Sequence, residues 1–312
     1  MSKINKNILF CFSDPAGAKA ILSFIKINKS KIYNYLIISN KNYKFYENFN
    51  LDIKIIKTIE LHNIIKTFKP NIIITGTSLP NEFELNTISI GNINSITTIS
   101  FIDHYTNIIE RFKKGNKFIL PKFIFVINCK VKLILTETLK INTSRIKIIE
   151  NPYITLLKKK KFNFSKVKFK KYFNVIDKKI LLYLPEPLFQ YKQDYLYGFT
   201  EFEILNDIIK YTNFDKFKLI IKPHPNHNIK LFEKYSINNN VHIEQNFDIN
   251  EMIYCSDIVF GIFSNAIIES NIINPHTYQI LTHLKDKKLN PFHSVKNLKK
   301  INYNDEFINK LK

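Results

Sequence analysis

The chain has no tryptophan, only two arginines (Arg111 and Arg145) and six glycines among 312 residues. So few glycines leave little room for the spaced-glycine loops of dinucleotide or P-loop sites, where backbone must approach phosphate closely. Its three cysteines, Cys11, Cys129 and Cys255, share no metal or redox spacing, and their odd number argues against a disulfide framework. A reducing compartment is the expectation. No uncharged apolar run reaches the roughly 18 residues that a membrane-crossing helix needs. The amino-terminal apolar run is about five residues long before Asp14, short of the roughly 7–15 of a secretory leader. A mature cytosolic start is therefore expected.

What is present is apolar content and positive charge. Hydrophobic residues make up 45% of the chain. The length fits two domains of roughly 150 residues, each able to bury a core. The formal net charge is +21, and lysine, isoleucine and asparagine dominate. An AT-rich coding bias accounts for such a composition as solvated surface lysine. The functional alternative is a cationic surface that attracts phosphorylated substrates or an anionic lipid leaflet. Helix-turn-helix, zinc-finger and RRM patterns are missing and the lysines are scattered, so specific nucleic-acid recognition is not expected.

Short β-rich runs at Asn7–Phe12, Lys31–Ile38, Ile53–Lys57, Asn71–Thr75, Ile96–Phe101, Phe123–Ile127 and Ile146–Ile149 alternate with helical spacing at Ala16–Ile27, Leu61–Phe68 and Glu82–Gly91. The second half repeats the alternation. Strands are expected at Lys179–Leu184, Phe217–Ile221, Val241–Glu244, Ile258–Phe260 and Thr277–Leu281, and helices at Thr200–Tyr211, Ile229–Tyr235, Ile249–Cys255 and Asn265–Ile273. Regular alternation predicts parallel sheets covered by helices on both faces, an α/β class of two Rossmann-like, doubly wound domains. The unbroken apolar runs "NIIIT" and "KFKLII" agree, since a strand buried on both faces loses its period-two pattern. Between the halves, Leu156–Asn174 carries eight lysines interleaved with Phe162, Phe164, Phe169 and Phe173. The expected division is residues 1–155, a basic linker at 156–176, and 177–312. The linker's aromatics either meet a membrane surface or a nucleic acid, or dock one short helix on the second domain.

In open α/β sheets ligands bind at the loops after the strands, so those loops hold the candidates. "SDPAGAKAI" supplies Asp14, a proton acceptor or a helix cap, and Gly17, whose small size lets backbone approach a ligand. "GTSLPNEFE" supplies Thr77 and Ser78 for hydrogen bonds to a polar ligand, or for capping the next helix. "IDHYTNIIERF" places Asp103, His104, Asn107 and Arg111 after a strand end. Where lysine is so abundant, an arginine marks either a fork for carboxylate or phosphate or a local ion pair. In the second half Glu186 stands between two prolines, and Lys222-Pro223-His224-Pro225 ends a buried strand. Ser264 and Asn265 open a helix whose free N–H groups suit a diphosphate, with Glu269 further along for a ribose diol.

"KPHP", followed about 40 residues later by a strand, "G-x-x-S" and a helix bearing Glu269, resembles the donor half of GT-B glycosyltransferases. It is most similar to the His-Pro-motif group: capsule-polymer and sialic-acid-type transferases and CDP-glycerol glycerophosphotransferases. Non-hydrolysing UDP-GlcNAc 2-epimerases share the two-domain layout. "SDPAGAKAI", "TGTSLPNEFE", "DHYTNIIERF" and "ENPYI" resemble segments of bacterial envelope-polysaccharide transferases, so the likeness runs from about Ser13 to Pro275. Three departures stand out: Ala16 replaces a loop glycine, Glu150-Asn151-Pro152 replaces Gly-Asn-Pro, and His104-Tyr105 stands where an aromatic such as Trp is usual.

The resemblance implies a GT-B fold whose domains face across a cleft, with an acceptor-side first domain and a nucleotide-sugar donor domain second. It implies Lys222 and His224 on the donor phosphates, Ser264 and Asn265 on the diphosphate, Glu269 on the ribose, and Asp14 or Asp103 as general base. The nucleotide sugar is a co-substrate; no cofactor and no metal is expected, in keeping with the lack of an Asp-x-Asp motif. The expected partners are that donor, a glycan or lipid-linked acceptor, and an anionic membrane touched peripherally at the inner face of the cytoplasmic membrane. Two other readings compete. A 2-epimerase usually carries an arginine in its first loop, and "SDPAGAK" has none. A degenerate GT-B binding module is the non-enzymatic alternative.

Overall fold

The first strand, β1 (Ile4–Phe12), buries Leu9, Phe10, Cys11 and Phe12 completely, as a strand covered on both faces must. The computed structural model describes residues 4–175, 177–295 and 297–312. Positions 1–3 of the expected first domain, 176 at the end of the expected linker, and 296 lie outside them. The chain divides into two units, Met1–Lys159 and Lys160–Lys312.

In the first unit β1 is followed by α1 (Pro15–Asn28), β2 (Ile32–Ser39), β3 (Lys54–Ile55), α2 (Leu61–Phe68), β4 (Ile72–Thr75), α3 (Phe83–Ile93) and β5 (Thr97–Ile102). A small antiparallel hairpin, β6 (Lys113–Lys114) and β7 (Lys117–Phe118), turns at Gly115, whose φ of 57° suits glycine. Then come β8 (Phe123–Val126), α4 (Cys129–Thr138), β9 (Ile146–Ile148) and α5 (Pro152–Lys159). Seven strands form one parallel sheet in the order β3-β2-β1-β4-β5-β8-β9.

The second unit runs α6 (Lys166–Tyr172), β10 (Lys179–Leu184), α7 (Asp194–Tyr197), α8 (Glu201–Tyr211), β11 (Phe217–Ile221), β12 (Val241–Ile243), α9 (Ile249–Cys255), β13 (Ile258–Gly261), α10 (Asn265–Ile273), β14 (Thr277–Ile280), β15 (Lys299–Ile301) and α11 (Asn304–Leu311). Its six strands pair in parallel as β12-β11-β10-β13-β14-β15. Counted within each sheet, the orders read 3-2-1-4-5-6-7 and 3-2-1-4-5-6, the doubly wound Rossmann arrangement with one extra edge strand in the first. Each unit is Rossmann-like, and the pair of them is the domain content of the GT-B fold.

Several expectations shift in detail. The stretch expected as a helix from Ile229 is 3-10 instead, over Ile229–Ile237, entered by the Asn228 side chain accepting from Lys230 N–H. α4 was not foreseen because only Val131 and Leu135 of its face are buried, two positions that mimic no long apolar stripe. Residues 156–176, expected as an exposed linker, include the last turns of α5 and all of α6. α6 turns Phe169 inward, with Phe173 just beyond its end, both against Phe247, and leaves Lys166, Lys168 and Lys171 outside. Phe162 and Phe164 pack on Tyr254. Among the described residues no helix is long and apolar enough to cross a membrane.

Candidate functional site

Each sheet reverses its winding between two neighbouring strands, β1 and β4 in the first unit, β10 and β13 in the second. The loops at the carboxyl ends of those strands part there, which is where α/β sheets accept ligands.

In the first unit Asp14 caps α1: its Oδ1 accepts from Ala16 N–H at 3.0 Å, and Pro15 occupies the first helical position. Gly17 and Gly76 bring the start of α1 against the loop after β4. A Cβ on Gly76 would sit 3.3 Å from Gly17 Cα, and one on Gly17 3.4 Å from Gly76 Cα. Beneath this contact lies a buried polar knot. Glu84, in the first turn of α3, takes Ser13 N–H on Oε1 at 2.8 Å, while its Oε2 lies 2.5 Å from Ser13 Oγ and 2.6 Å from Ser78 Oγ. Ser13 Oγ and Ser78 Oγ are 2.9 Å apart, and Ser78 Oγ also reaches the Asn81 carbonyl at 2.7 Å. Burial pushes the Glu84 carboxyl above the ordinary glutamate range, and the hydroxyls of Ser13 and Ser78 offset that only in part.

The stretch 103–112 folds back on the same loops. Arg111 is only 4% exposed; its Nη1 donates to the Thr77 carbonyl at 3.0 Å and its Nε to the Thr106 carbonyl at 3.5 Å. Asn107 sits in the left-handed region, φ 53°, and its carbonyl accepts Arg111 N–H. Asp103 is buried, with Oδ2 4.0 Å from His104 Nε2. Burial raises the pKa of the half-buried Asp14; the Arg111 guanidinium and the N–H groups of Ala16 and Gly17 pull it back. Thr77 is buried, and its Oγ1 has no hydrogen-bond partner. The sequence-derived candidates Asp14, Gly17, Thr77, Ser78 and Arg111 are thus brought together. Ser78, however, turns its hydroxyl into the fold, and Arg111 directs two donors to backbone.

In the second unit His224 follows β11. Its ring Nδ1 accepts from Asn226 N–H at 3.2 Å, leaving the ring proton on Nε2. Its backbone N–H donates to His227 Nδ1 at 2.9 Å, and His227 Nε2 lies 3.2 Å from Glu201 Oε1. The side chains of His227 and Glu201 are both completely buried. Glu201 Oε2 accepts Phe189 N–H at 2.9 Å, and Gln190 bridges to Asn226 O and Asn228 N–H, both at 2.7 Å. The loops after β10 and β11 are therefore one hydrogen-bonded piece. Lys222 Nζ donates to the carbonyls of Gln245 and Phe247, 2.5 and 3.0 Å away, so its ammonium fastens the loop after β12.

After β13, Ser264 caps α10 through Ala266 N–H at 3.3 Å and Asn265 opens the helix. Gly261 lets α10 close on the strand: a Cβ there would lie 2.8 Å from Ile267 Cδ1. Glu269 is buried in α10. Half-buried Glu186, in the loop after β10, helps burial raise the Tyr197 phenol, and that ring packs 4.5 Å from Phe263, next to Ser264. A cavity of about 580 Å³ lined by Lys179, Asp257 and His276 lies at the amino ends of β10, β13 and β14, the opposite edge of the sheet. No group of three or more His, Cys, Asp or Glu side chains suited to a metal ion occurs among the described residues.

Three residues that matter to these loops, Glu84, Glu201 and His227, escape a reading of motifs. Thr200-x-x-Glu203 reads as a capping box, and it is one, which explains Glu203 and hides Glu201.

Solved structures share this fold. A glycosyltransferase from Rickettsia africae is 14% identical, with TM-score 0.62 over 98% of this chain and 87% of its own. The UDP-GlcNAc 2-epimerase of Neisseria meningitidis, bound to UDP-GlcNAc, is 13% identical, with TM-score 0.55 over 88% and 81%. The wall teichoic acid polymerase TagF is 14% identical, with TM-score 0.54 over 98% and 79%. No family model matches the sequence, and no curated protein sequence does. At these identities the likeness is one of fold, and the fold is GT-B, the one that glycosyltransferases share with UDP-GlcNAc 2-epimerases.

Proposed function

We infer that the chain is a glycosyltransferase moving a sugar from a nucleotide-activated donor to a glycan or lipid-linked acceptor of a bacterial cell surface, without a metal ion. The observation that carries this is the pinned imidazole: His224, at the carboxyl end of β11, donates its backbone N–H to His227 Nδ1 and accepts Asn226 N–H on its ring Nδ1, which leaves its proton on Nε2. An N–H fixed in this way can meet the oxyanion of a departing nucleoside phosphate without reorganising. The nine-residue helix α10, capped by Ser264, adds the positive end of its dipole for the same charge. In the first unit the Asp14 carboxylate accepts the acceptor hydroxyl's proton. Its raised pKa makes it a stronger base than an ordinary aspartate. The acceptor oxygen then bonds to the anomeric carbon as the bond to the phosphate oxygen breaks, with inversion. Asp103 is the alternative base, and Glu269 and Glu186 serve the ribose and sugar hydroxyls. The charge of +21 would keep the enzyme near anionic lipid at the inner face of the cytoplasmic membrane. The test is calorimetric binding and donor hydrolysis with CMP-, CDP-, UDP- and GDP-sugars; failure of all four to bind ends this reading.

One observation favours epimerisation as a second reading. The first loop has no arginine of its own, but Arg111 reaches it from another loop, bonding to Thr77 and acting on Asp14. Epimerised product from UDP-GlcNAc with no acceptor present would decide for it.

A further inference from the structure

We propose that Glu201 and His227 are positioning residues of the donor-phosphate loop, setting the orientation of His224 without touching the ligand. The proposal rests on His224 being a phosphate ligand, and on geometry that stands apart from that assignment.

The chain of contacts has one direction. His227 Nδ1 accepts the His224 backbone N–H at 2.9 Å, so the His227 proton is on Nε2, 3.2 Å from the Glu201 carboxylate. A buried carboxylate is the acceptor that fixes this tautomer and no other. Glu201 is itself fixed at the start of α8, where its carbonyl takes the buried Tyr183 hydroxyl at 2.9 Å and its second oxygen takes Phe189 N–H. The Phe232 ring packs edge-on against His227, 5.0 Å between centroids. The His227 backbone N–H closes the turn on the His224 carbonyl at 2.8 Å. Both peptide groups of His224 are thus tied to His227, and His227 to the start of α8. A buried imidazole and carboxylate are an expensive way to hold a surface turn; a serine or asparagine cap would suffice where only stability mattered. What this pair adds is a fixed His224 backbone, three bonds from the ring, in the turn that brings Asn226 N–H to the ring Nδ1.

The test is a double-mutant cycle read by calorimetry with UDP, CDP, GDP and CMP as probes. For whichever nucleotide the wild type binds, His227→Ala and Glu201→Gln should weaken binding by roughly tenfold. Gln can accept from only one of the two N–H groups that the carboxylate serves. His227→Asn, which keeps an acceptor near the Nδ1 position, should retain most of the affinity. The double variant His224→Ala/His227→Ala should bind no more weakly than His224→Ala alone, because His227 acts through His224. Additive losses, or wild-type affinity in a His227→Ala protein with native urea stability, would overturn the proposal. If no nucleotide binds the wild type, the functional reading fails, and imidazole ¹⁵N spectra then test the positioning on their own. Wild-type His224 should hold its proton on Nε2, and His227→Ala should let it exchange between both nitrogens. An unchanged His224 tautomer in that variant also overturns it.

Discussion

Replacing Glu84 with Gln should stabilise the protein at neutral pH, although it removes a charge from a carboxylate with three hydrogen-bond contacts. Proton counting gives the reason. Four contacts join Ser13 Oγ, Ser78 Oγ, Glu84 Oε2 and the Asn81 carbonyl. The two hydroxyls supply only two protons when Glu84 is ionised, and three are present when it is protonated. A Gln amide supplies two, making four, and its oxygen still accepts Ser13 N–H. Burial, which disfavours the charged form, also raises the Glu84 pKa, and the two hydroxyls offset that only in part. A carboxyl whose pKa rises on folding contributes stability that is complete below its unfolded value and is lost as pH climbs through the folded one. Wild type should therefore lose ground to Glu84→Gln as pH rises from about 4.5, and the gap should level off above the folded pKa. Glu84→Ala is the opposite case. It strands Ser13 N–H in a buried place, at a cost of about 1–3 kcal/mol. At roughly 2–4 °C per kcal/mol for a unit of this size, a 2 kcal/mol loss lowers Tm by about 4–8 °C. Urea unfolding of the three proteins at several pH values between 4.5 and 8 reads all of this. A Glu84→Gln protein as unstable as Glu84→Ala, or a gap from wild type that does not change with pH, refutes the reasoning.

Other outcomes are direct. His224→Ala should lower transfer by about 10²–10³-fold, the usual cost of one oxyanion donor, with Tm unchanged; steady-state kinetics on the active donor checks it. Asp14→Asn should abolish transfer. In wild type the rate should rise with pH through the raised Asp14 pKa, so the acid limb lies above the ordinary aspartate range; a limb near 4 counts against Asp14 as the base. Gly76→Ala brings a methyl group 3.3 Å from Gly17 Cα and 3.6 Å from Phe12 Cβ, and should cost about 1–3 kcal/mol in chemical denaturation, as overpacking does. Only Cys129 should react with a thiol reagent in the native protein. Cys11 and Cys255 are buried, and burial pushes the Cys255 thiol up to about 11.

The fold was legible because it depends on average properties, and the site only partly so, because it depends on pairings. "NIIIT" and "KFKLII" announce doubly covered strands whatever their partners are, and their alternation with helices leaves few topologies. The loops at strand ends then follow from topology, so position alone makes Asp14, Thr77 and His224 candidates. Lys222 shows the limit. A lysine beside a histidine after a strand reads as a phosphate ligand until the carbonyls of Gln245 and Phe247, over twenty residues away, are seen to take its ammonium. Arg111 is the same case: scarcity singled it out, but the Thr77 carbonyl that holds it belongs to another loop. The residues that escaped, Glu84, Glu201 and His227, are polar groups each with one partner far along the chain, 71 positions for Glu84 and 26 between Glu201 and His227. No local period marks them, and a carboxylate in the first turn of a helix is already explained by the helix dipole. Burial distinguishes them: Glu84 and Glu201 are 2% and 0% exposed, where a dipole-compensating carboxylate stays in water. A buried first-turn carboxylate facing a loop at a strand's carboxyl end marks a loop held in one geometry, which is a property a binding site needs and a surface turn does not.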